Sequence, residues 1–482
     1  MSNTSRNRTI YNSQALYVSP SSTGYHLQSG VGSGPLDSFG ALWTGITGRS
    51  ILGATAAPAT MIRSLLQPLH RIQSANFNFT VNRTDVNEFG VLSRLDTLVM
   101  DAPTVSLDFS YYLTDGGNER KLGFNCPTAT LRGDTSSAFN TGDLCNSGKS
   151  ALSGHLEDSQ GNNYFIAVSK DGTDAANNPI TANSADFNVV AIGNGYVSDY
   201  SVEASVGSIP SASVSVEAFN IKVDDVASGS ATSSGPGDPA IPAVDITGGT
   251  TGTYGSSKQY IIPEYLTGDL STHSVAGPVG SGPGISSALR PGDITLTIGD
   301  SSNYQGLADL DVAGQAHIQS FNISIPMSRT TLPRLGSTFG YAKVIDTPIN
   351  ISCTISAIVS ELQASDPGHL SDNFKGNVYE MLCRKQLHDI TLTLHHCNKE
   401  NFGSGNTSEM VKYTIKNARM EGESFSSSIG DNQTVDITFT AQVGGANDDI
   451  NGILMQGSYE PWTSLTYWPM GENKDEDSAY IG

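Results

Sequence analysis

Residues 72–90 read IQSANFNFTVNRTDVNEFG, and residues 318–336 read IQSFNISIPMSRTTLPRLG. Laid one over the other without a gap, they share Ile, Gln, Ser, Asn, Arg, Thr and Gly at seven of nineteen positions, where chance gives about one. The alternation agrees further than the identities do, since Phe77, Phe79 and Val81 are answered by Ile323, Ile325 and Met327. A period of two describes a strand with one face buried. In both places the strand then enters a polar turn that stops at a glycine, Gly90 or Gly336.

The echo continues on either side. Val99-Met100-Asp101-Ala102-Pro103 is matched by Val344-Ile345-Asp346-Thr347-Pro348, a match that requires a one-residue deletion. Each then leads into an alternating stretch, TVSLDFSYYL at 104–113 and INISCTISAIV at 349–359. Upstream, GSGP occurs at 32–35 and again at 280–283; downstream, residues 197–223 resemble residues 416–443. Four landmarks in the same order read as two copies of one β-rich domain. The first spans 1–225 with an N-terminal arm and the second spans 259–482. Residues 226–258, rich in Gly, Ser, Pro and Thr, form a flexible or extended linker between them.

The second copy carries a helix pattern over 371–387, with Ser371 as N-cap and Val378, Leu382 and Leu387 at helical spacing. The first copy has a Gly/Asn/Ser-rich stretch at 115–163 in that place, read as an embellished loop before the strand NYFIAV (163–168). The expected fold is therefore mainly β: two tandem β-sandwich or barrel-forming domains, each with at most one helix.

Composition agrees. Of 482 residues, 37% are hydrophobic and 15% charged, with 51 glycines, which suits an all-β chain with long polar loops. A net charge of −21 repels nucleic acid and anionic membranes, yet suits a surface past which DNA slides without sticking. Five cysteines, an odd number with no CxxC pair, read as reduced thiols of a protein assembled in the cytosol. The N-terminus shows no apolar signal-peptide core, and no run of about 18 apolar residues suggests a membrane helix.

Chemical motifs are weak. GDLCNSGKS at 142–150 has five residues between Gly142 and Gly148 where a phosphate loop needs four before its Gly-Lys-Ser. His388, His395, His396 and Cys397 cluster, but neighbours 395 and 396 point to opposite faces of a strand, so a polar strand end is favoured over zinc. KDGTD at 170–174 lacks the closing glutamate of a calcium loop, and GDSS at 299–302 lacks a nucleophile elbow. A carbohydrate-active cleft needs paired carboxylates among aromatics, whereas Trp43, Trp462 and Trp468 lie near the chain ends. No catalytic residue, cofactor or metal is assigned.

Arg83 and Arg329 stand at equivalent places where a strand enters its loop, suited to pairing with a carboxylate across a subunit boundary. The alternative is a local salt bridge contributing little. A duplicated β domain lets one chain fill two places in a ring, so three chains can close a pseudo-sixfold assembly in which neighbours cover one another's strand edges.

The run RIQSANFNFTVNRTDVNEFGVLSRLDTLVMDAPTVSLDFSYYL and its second version HIQSFNISIPMSRTTLPRLGSTFGYAKVIDTPINISCTISAIV resemble the strands of tail tube (major tail) proteins of tailed bacteriophages. The resemblance covers most of 65–225 and 285–445. It implies a structural virion protein, located in the tail and assembled in the host cytoplasm. Homotrimeric, pseudo-hexameric rings would stack into a tube that delivers genomic DNA without binding it specifically. It also implies the tape measure protein, the tail terminator and baseplate or tip proteins as partners. In that frame the equivalent loops 82–96 and 328–343 make intersubunit or inter-ring contacts through Arg83, Asp85, Glu88, Gly90, Arg94, Arg329, Arg334 and Gly336. The alternative is a tandem β-domain host-recognition or decoration protein of a virion or cell surface.

Overall fold

The chain is mainly β. A computed structural model describes residues 14–20, 65–100, 103–126, 150–157, 161–169, 187–225, 243–245, 258–261, 289, 294–298, 317–333, 335, 342–358, 387–395, 409–427, 432–433, 434–445 and 450–457. The first repeat contains β1 (Gln14–Pro20), β2 (Leu65–Pro68), β3 (Ile72–Thr80), β4 (Arg83–Val86), β5 (Asp96–Val99) and β6 (Thr104–Tyr112). Two helices, α1 (Gly117–Leu122) and α2 (Ser153–Glu157), precede β7 (Asn162–Ser169), β8 (Phe187–Ser205), β9 (Ser211–Ala218) and β10 (Asn220–Asp225). After β11 (Ala243–Asp245) and β12 (Lys258–Ile261) come β13 (Ile294–Ile298), β14 (His317–Pro326), β15 (Arg329–Leu332) and β16 (Ala342–Ile345). The chain continues with β17 (Ile349–Ile358), β18 (His388–His395), β19 (Glu409–Ser426), β20 (Thr434–Val443) and β21 (Gly452–Gly457).

One antiparallel sheet runs β3-β6-β9-β8-β14-β17-β20-β19, so the same four-strand order occurs twice in a row. The long strands β8 and β19 continue out of it into smaller sheets, β1-β7-β8-β10 and β13-β18-β19-β21, which again correspond strand for strand. The hairpins β4–β5 and β15–β16 also correspond. β11, inside the stretch read as linker, pairs in parallel with β12, and β12 with β2.

The ladders fix which residues are equivalent. Strand β3 pairs with β6 and β14 with β17 through the same early bulge, at Ile72/Ser74 and Ile318/Ser320. The shift between repeats is 246 on both strands and also across the hairpins, where Arg83 faces Val99 and Arg329 faces Ile345. The one-residue deletion read from Pro103 and Pro348 is therefore corrected. Those prolines match in sequence but stand one place apart in the ladder, and backbone pairing rather than residue type sets equivalence. For β8 with β9 and β19 with β20 the shift is 223, again through a shared bulge, at Val197/Asp199 and Met420/Gly422.

Alternation does what it implies: Val105, Leu107, Phe109 and Tyr111 of β6 are buried, as are Ile351, Cys353, Ile355 and Ala357 of β17. They join one hydrophobic cluster that also takes in Tyr164 and Ile166 of β7 and Leu392 and Leu394 of β18. Each repeat is thus two layers closed over a shared core. β3 departs from this, because Phe77 and Phe79 lie on the expected face yet remain 45% and 59% exposed.

The point where β8 and β19 change sheets is built in the same way twice. Asn194 and Asn417 adopt left-handed φ of 54° and 52°, a conformation Asn tolerates better than most residues. The pairing skips Asn163 on β7 and Asp389 on β18. Each skipped side chain accepts a hydrogen bond from the left-handed residue, Asn163 Oδ1 from Asn194 N–H and Asp389 Oδ1 from Asn417 N–H, both at 3.0 Å. Burial pushes the Asp389 carboxyl up, but hydrogen bonds from Lys416 Nζ (2.8 Å) and Asn417 N–H outweigh it and hold it below its ordinary range. Truncating Asn163 or Asp389 to Ala is expected to cost about 1–3 kcal/mol in denaturant unfolding, since a strand N–H loses its acceptor. A depressed carboxyl stabilises above its unfolded pKa and stops doing so as pH falls through its folded one. The deficit of the Asp389 variant should therefore shrink in acid, while that of the Asn163 variant should not.

The region read as an embellished loop holds α1 and α2, so the first repeat carries two short helices where at most one was expected. All six residues of α1, Gly-Asn-Glu-Arg-Lys-Leu, are buried. Their polar character hid them, for a helix inserted between two β units shows no amphipathic period. Glu119 Oε1 accepts hydrogen bonds from Tyr111 (2.8 Å) and Tyr200 (3.1 Å), and the Tyr200 hydroxyl meets that of Tyr413 from the second repeat at 3.2 Å. Just before α2, the Ala151 N–H donates to the Ile453 carbonyl on β21 at 2.8 Å. Of the helix expected at 371–387, residues 371–386 lie outside the described residues, and Leu387 is non-helical and exposed.

Candidate functional site

The joint between the two repeats shows what a strand edge of this chain does when it is covered. β8 pairs with β14 over seven residues, from Asp199 opposite Pro326 to Ser205 opposite Ser320. The Met327 N–H and the Ser198 carbonyl extend the ladder at 2.8 Å, as do the Val206 N–H and the Gln319 carbonyl at 2.8 Å. Val202 and Ile323 face each other here, 0% and 2% exposed.

The β15–β16 hairpin clasps this joint from the second repeat onto the first. Lys343 Nζ donates to Glu217 Oε2 at 3.1 Å and stands 5.0 Å over the Phe219 ring. Burial pulls the Lys343 ammonium below its ordinary pKa, against the pull of Glu217. Arg329 lies 4.9 Å over the Tyr196 ring, and its Nη2 donates to the His155 carbonyl at 3.3 Å. His155 is itself buried edge-on to Phe124 at 4.7 Å, and desolvation, then Arg329, lowers its pKa to about 3. Its imidazole stays neutral beside the guanidinium.

The corresponding parts at the two ends are open. Among the described residues no further strand pairs with β3 or with the C-terminal half of β19, the two outer strands of the large sheet. The β4–β5 hairpin beside β3 is exposed along its length, with Phe89 and Leu92 fully exposed and Leu95, Leu98 and Met100 also uncovered. So large an apolar surface on one hairpin is more than a lone chain commonly shows to water.

The residues expected at contacts are placed as follows. Arg83 opens β4, exposed, and Asp85 on the same strand pairs with Arg94 at 3.2 Å, an exposed pair worth little to stability. Glu88 accepts the Val91 N–H through its carbonyl at 3.2 Å, and Gly90 in that turn has φ of 93°, which favours glycine. These four gather with Arg94 in one hairpin, whereas Arg329 sits at the joint inside the chain. Arg334 and Gly336 lie outside the described residues. Missing from that set are Phe77 and Phe425, on the two outer strands. The alternation of β3 pointed to Phe77, but only the sheet order shows that its strand is outermost.

Across the large sheet, the face opposite the core is polar. Cross-strand partners share a face, which groups Asn76 with Asp108 and Ser215, Glu203 with Ser211 and Asn322, and Asp436 with Ser356. Asp108, Glu203 and Asp436 are exposed on it. Of the histidine cluster, His395 Nε2 meets Thr295 Oγ1 at 3.0 Å and His388 packs edge-on to Phe439 at 6.0 Å. His396 and Cys397 lie outside the described residues, as do most of GDLCNSGKS, KDGTD and GDSS. Among the described residues no group of three or more His, Cys, Asp or Glu could hold a metal ion, and no helix is long and apolar enough to cross a membrane.

No family model and no curated protein sequence matches the chain. Among solved structures, a chain of the virion of a native gene transfer agent particle is similar at 8% identity and a TM-score of 0.20, over 33% of this chain and 96% of that one. A chain of the anti-feeding prophage tube-terminating cap gives 14% identity and 0.21, over 38% and 98%. A chain of the six-fold symmetrised anti-feeding prophage baseplate gives 12% and 0.20, over 35% and 93%. At such TM-scores function rests on the chain's own geometry.

Proposed function

We propose that the chain is a structural subunit of a virion tail that polymerises into stacked rings, three chains to a pseudo-hexameric ring, forming a tube that conducts genomic DNA. The observation that carries this is the joint of β8 with β14, which joins the two repeats edge to edge in one sheet and leaves matching outer strands at both ends. Repeating that joint between chains continues the sheet, and three chains supply six repeats for closure. Two tandem domains, with 1–225 and 259–482 as their bounds, are part of the same proposal.

The polar face of the large sheet, with Asp108, Glu203 and Asp436 among hydroxyl and amide side chains, would line the channel. Its negative potential would keep the duplex from adhering, as the net charge of −21 does for the whole chain. The exposed hairpin β4–β5, with Arg83, Asp85, Glu88, Gly90 and Arg94, would reach a neighbouring chain or ring, and the loop with Arg334 and Gly336 would serve its second-repeat counterpart. The tape measure, terminator and baseplate or tip proteins follow as partners from the resemblance to tail tube proteins.

Electron microscopy of concentrated protein tests this. The intact chain is expected to give rings or hollow striated tubes, and removal of residues 84–95 to give folded protein that no longer polymerises. Normal tubes from the deletion would remove the hairpin from the contact. An intact chain that stays discrete would point instead to a recognition or decoration protein.

A further inference from the structure

We infer a specific register for the joint between chains: β19 of one chain pairs antiparallel with β3 of the next, with Phe425 opposite Phe77. The inference rests on the ring reading and deepens it by identifying the occupant of each outer strand as a second copy of this chain. The internal joint sets Val202 opposite Ile323, Ser201 opposite Ser324 and Asp199 opposite Pro326. The shift of 223 carries β8 onto β19, and the shift of 246 carries β14 back onto β3, both fixed by bulges common to the two repeats. Applied together, they turn those pairs into Phe425 with Phe77, Ser424 with Asn78 and Gly422 with Thr80.

The outcome is chemically coherent. The two positions buried inside the chain as Val and Ile become two phenylalanines, 36% and 45% exposed in the single chain, on the core side of the sheet. Cross-strand aromatic pairs are among the favourable ones on a sheet, and they gain most where both rings leave water. On the other face Ser424 meets Asn78, a polar pair. A register slipped by one residue would set a phenylalanine against a residue of the polar face, because the period is two, and a slip of two is excluded by the shifts of 223 and 246.

The two kinds of joint then differ in strength. The clasp inside the chain uses Lys343, Glu217, Phe219 and Tyr196. The same shifts place Thr97, Thr440, Gln442 and Arg419 at those positions, which offer neither the ion pair nor an aromatic surface. Chains would therefore part from one another at Phe77–Phe425 while the internal joint holds.

Paired cysteines read the register. Directly opposed residues of antiparallel strands lie about 4.5–5.5 Å apart at Cα, within reach of a disulfide. Mild oxidation of assembled F77C/F425C protein is expected to give a non-reducing ladder that ends at a covalently closed trimer. N78C/S424C, which keeps both phenylalanines, should do the same, while F77C/S424C and either single variant should give no more than the unsubstituted chain. Hydrogen exchange on the unsubstituted chain supplies a second reading, with amides of 74–80 and 422–427 gaining protection together on assembly. Rings that form without crosslinking at either matched pair, or without that protection, overturn the register and leave the ring reading standing. Protein that remains monomeric at every concentration overturns both.

Discussion

Ile323→Asp is expected to prevent the chain from folding, whereas Phe77→Asp should leave a folded chain that no longer assembles. The two positions are equivalent at a shift of 246, and only their surroundings differ. Ile323 is 2% exposed, opposite Val202 in the middle of the joint between repeats. Losing that packing costs about 2–5 kcal/mol, and desolvating a carboxylate there adds several more. The sum is comparable to the ~5–15 kcal/mol that holds a typical domain together. Phe77 is 45% exposed in the single chain, so Asp there costs little until a neighbour tries to cover it. Circular dichroism and light scattering separate the cases. A folded Ile323→Asp chain, or a Phe77→Asp chain that assembles normally, would contradict the account of the two joints.

The second large effect is expected at Glu119. Its removal in Glu119→Ala opens a cavity where the two repeats meet and takes the acceptor from the Tyr111 and Tyr200 hydroxyls, for a loss of about 2–5 kcal/mol. Glu119→Gln keeps the shape and an accepting oxygen and should lose far less. Burial raises the Glu119 carboxyl above its ordinary pKa, against the hydrogen bonds that favour its charged form. The folded chain then binds this proton more tightly than the unfolded one, so stability falls as pH rises from the ordinary carboxyl value to the raised one and is flat above it. The Gln variant should lack that falling segment. Unfolding midpoints of the three proteins across this range check the sign, and a segment persisting in Glu119→Gln would assign it to another group.

Much of the fold was legible where period-two alternation recurred. IQSANFNF and IQSFNISI pointed to β3 and β14, and the alternating stretches after them became β6 and β17. What alternation leaves open is coverage, because it assigns a side chain to a face without saying whether a layer lies over it. Hence Phe77 and Ile323 read alike in pattern and differ in surroundings, one 45% exposed and the other 2%. Register was equally hidden: Pro103 and Pro348 suggested a deletion that the ladders do not contain. α1 was missed because Gly-Asn-Glu-Arg-Lys is polar throughout, and its burial comes from partners far along the chain, such as Tyr413. The capping of Asn194 by Asn163 and of Asn417 by Asp389 left a faint signal, a polar second residue in each otherwise apolar strand, which pairing alone makes intelligible. Of the candidate contacts, Arg83 and Arg329 were rightly seen as equivalent positions, while the hairpin around Arg329 packs inside the chain and that around Arg83 faces outward.

The central claim is that the chain continues its own internal joint around a closed ring. The most direct test is the mass of the smallest closed particle formed by the purified protein, measured together with its symmetry in averaged electron micrographs. The account predicts three chains per ring and six similar lobes around an open channel. A closed particle of any other chain number, or monomers alone at high concentration, would contradict it.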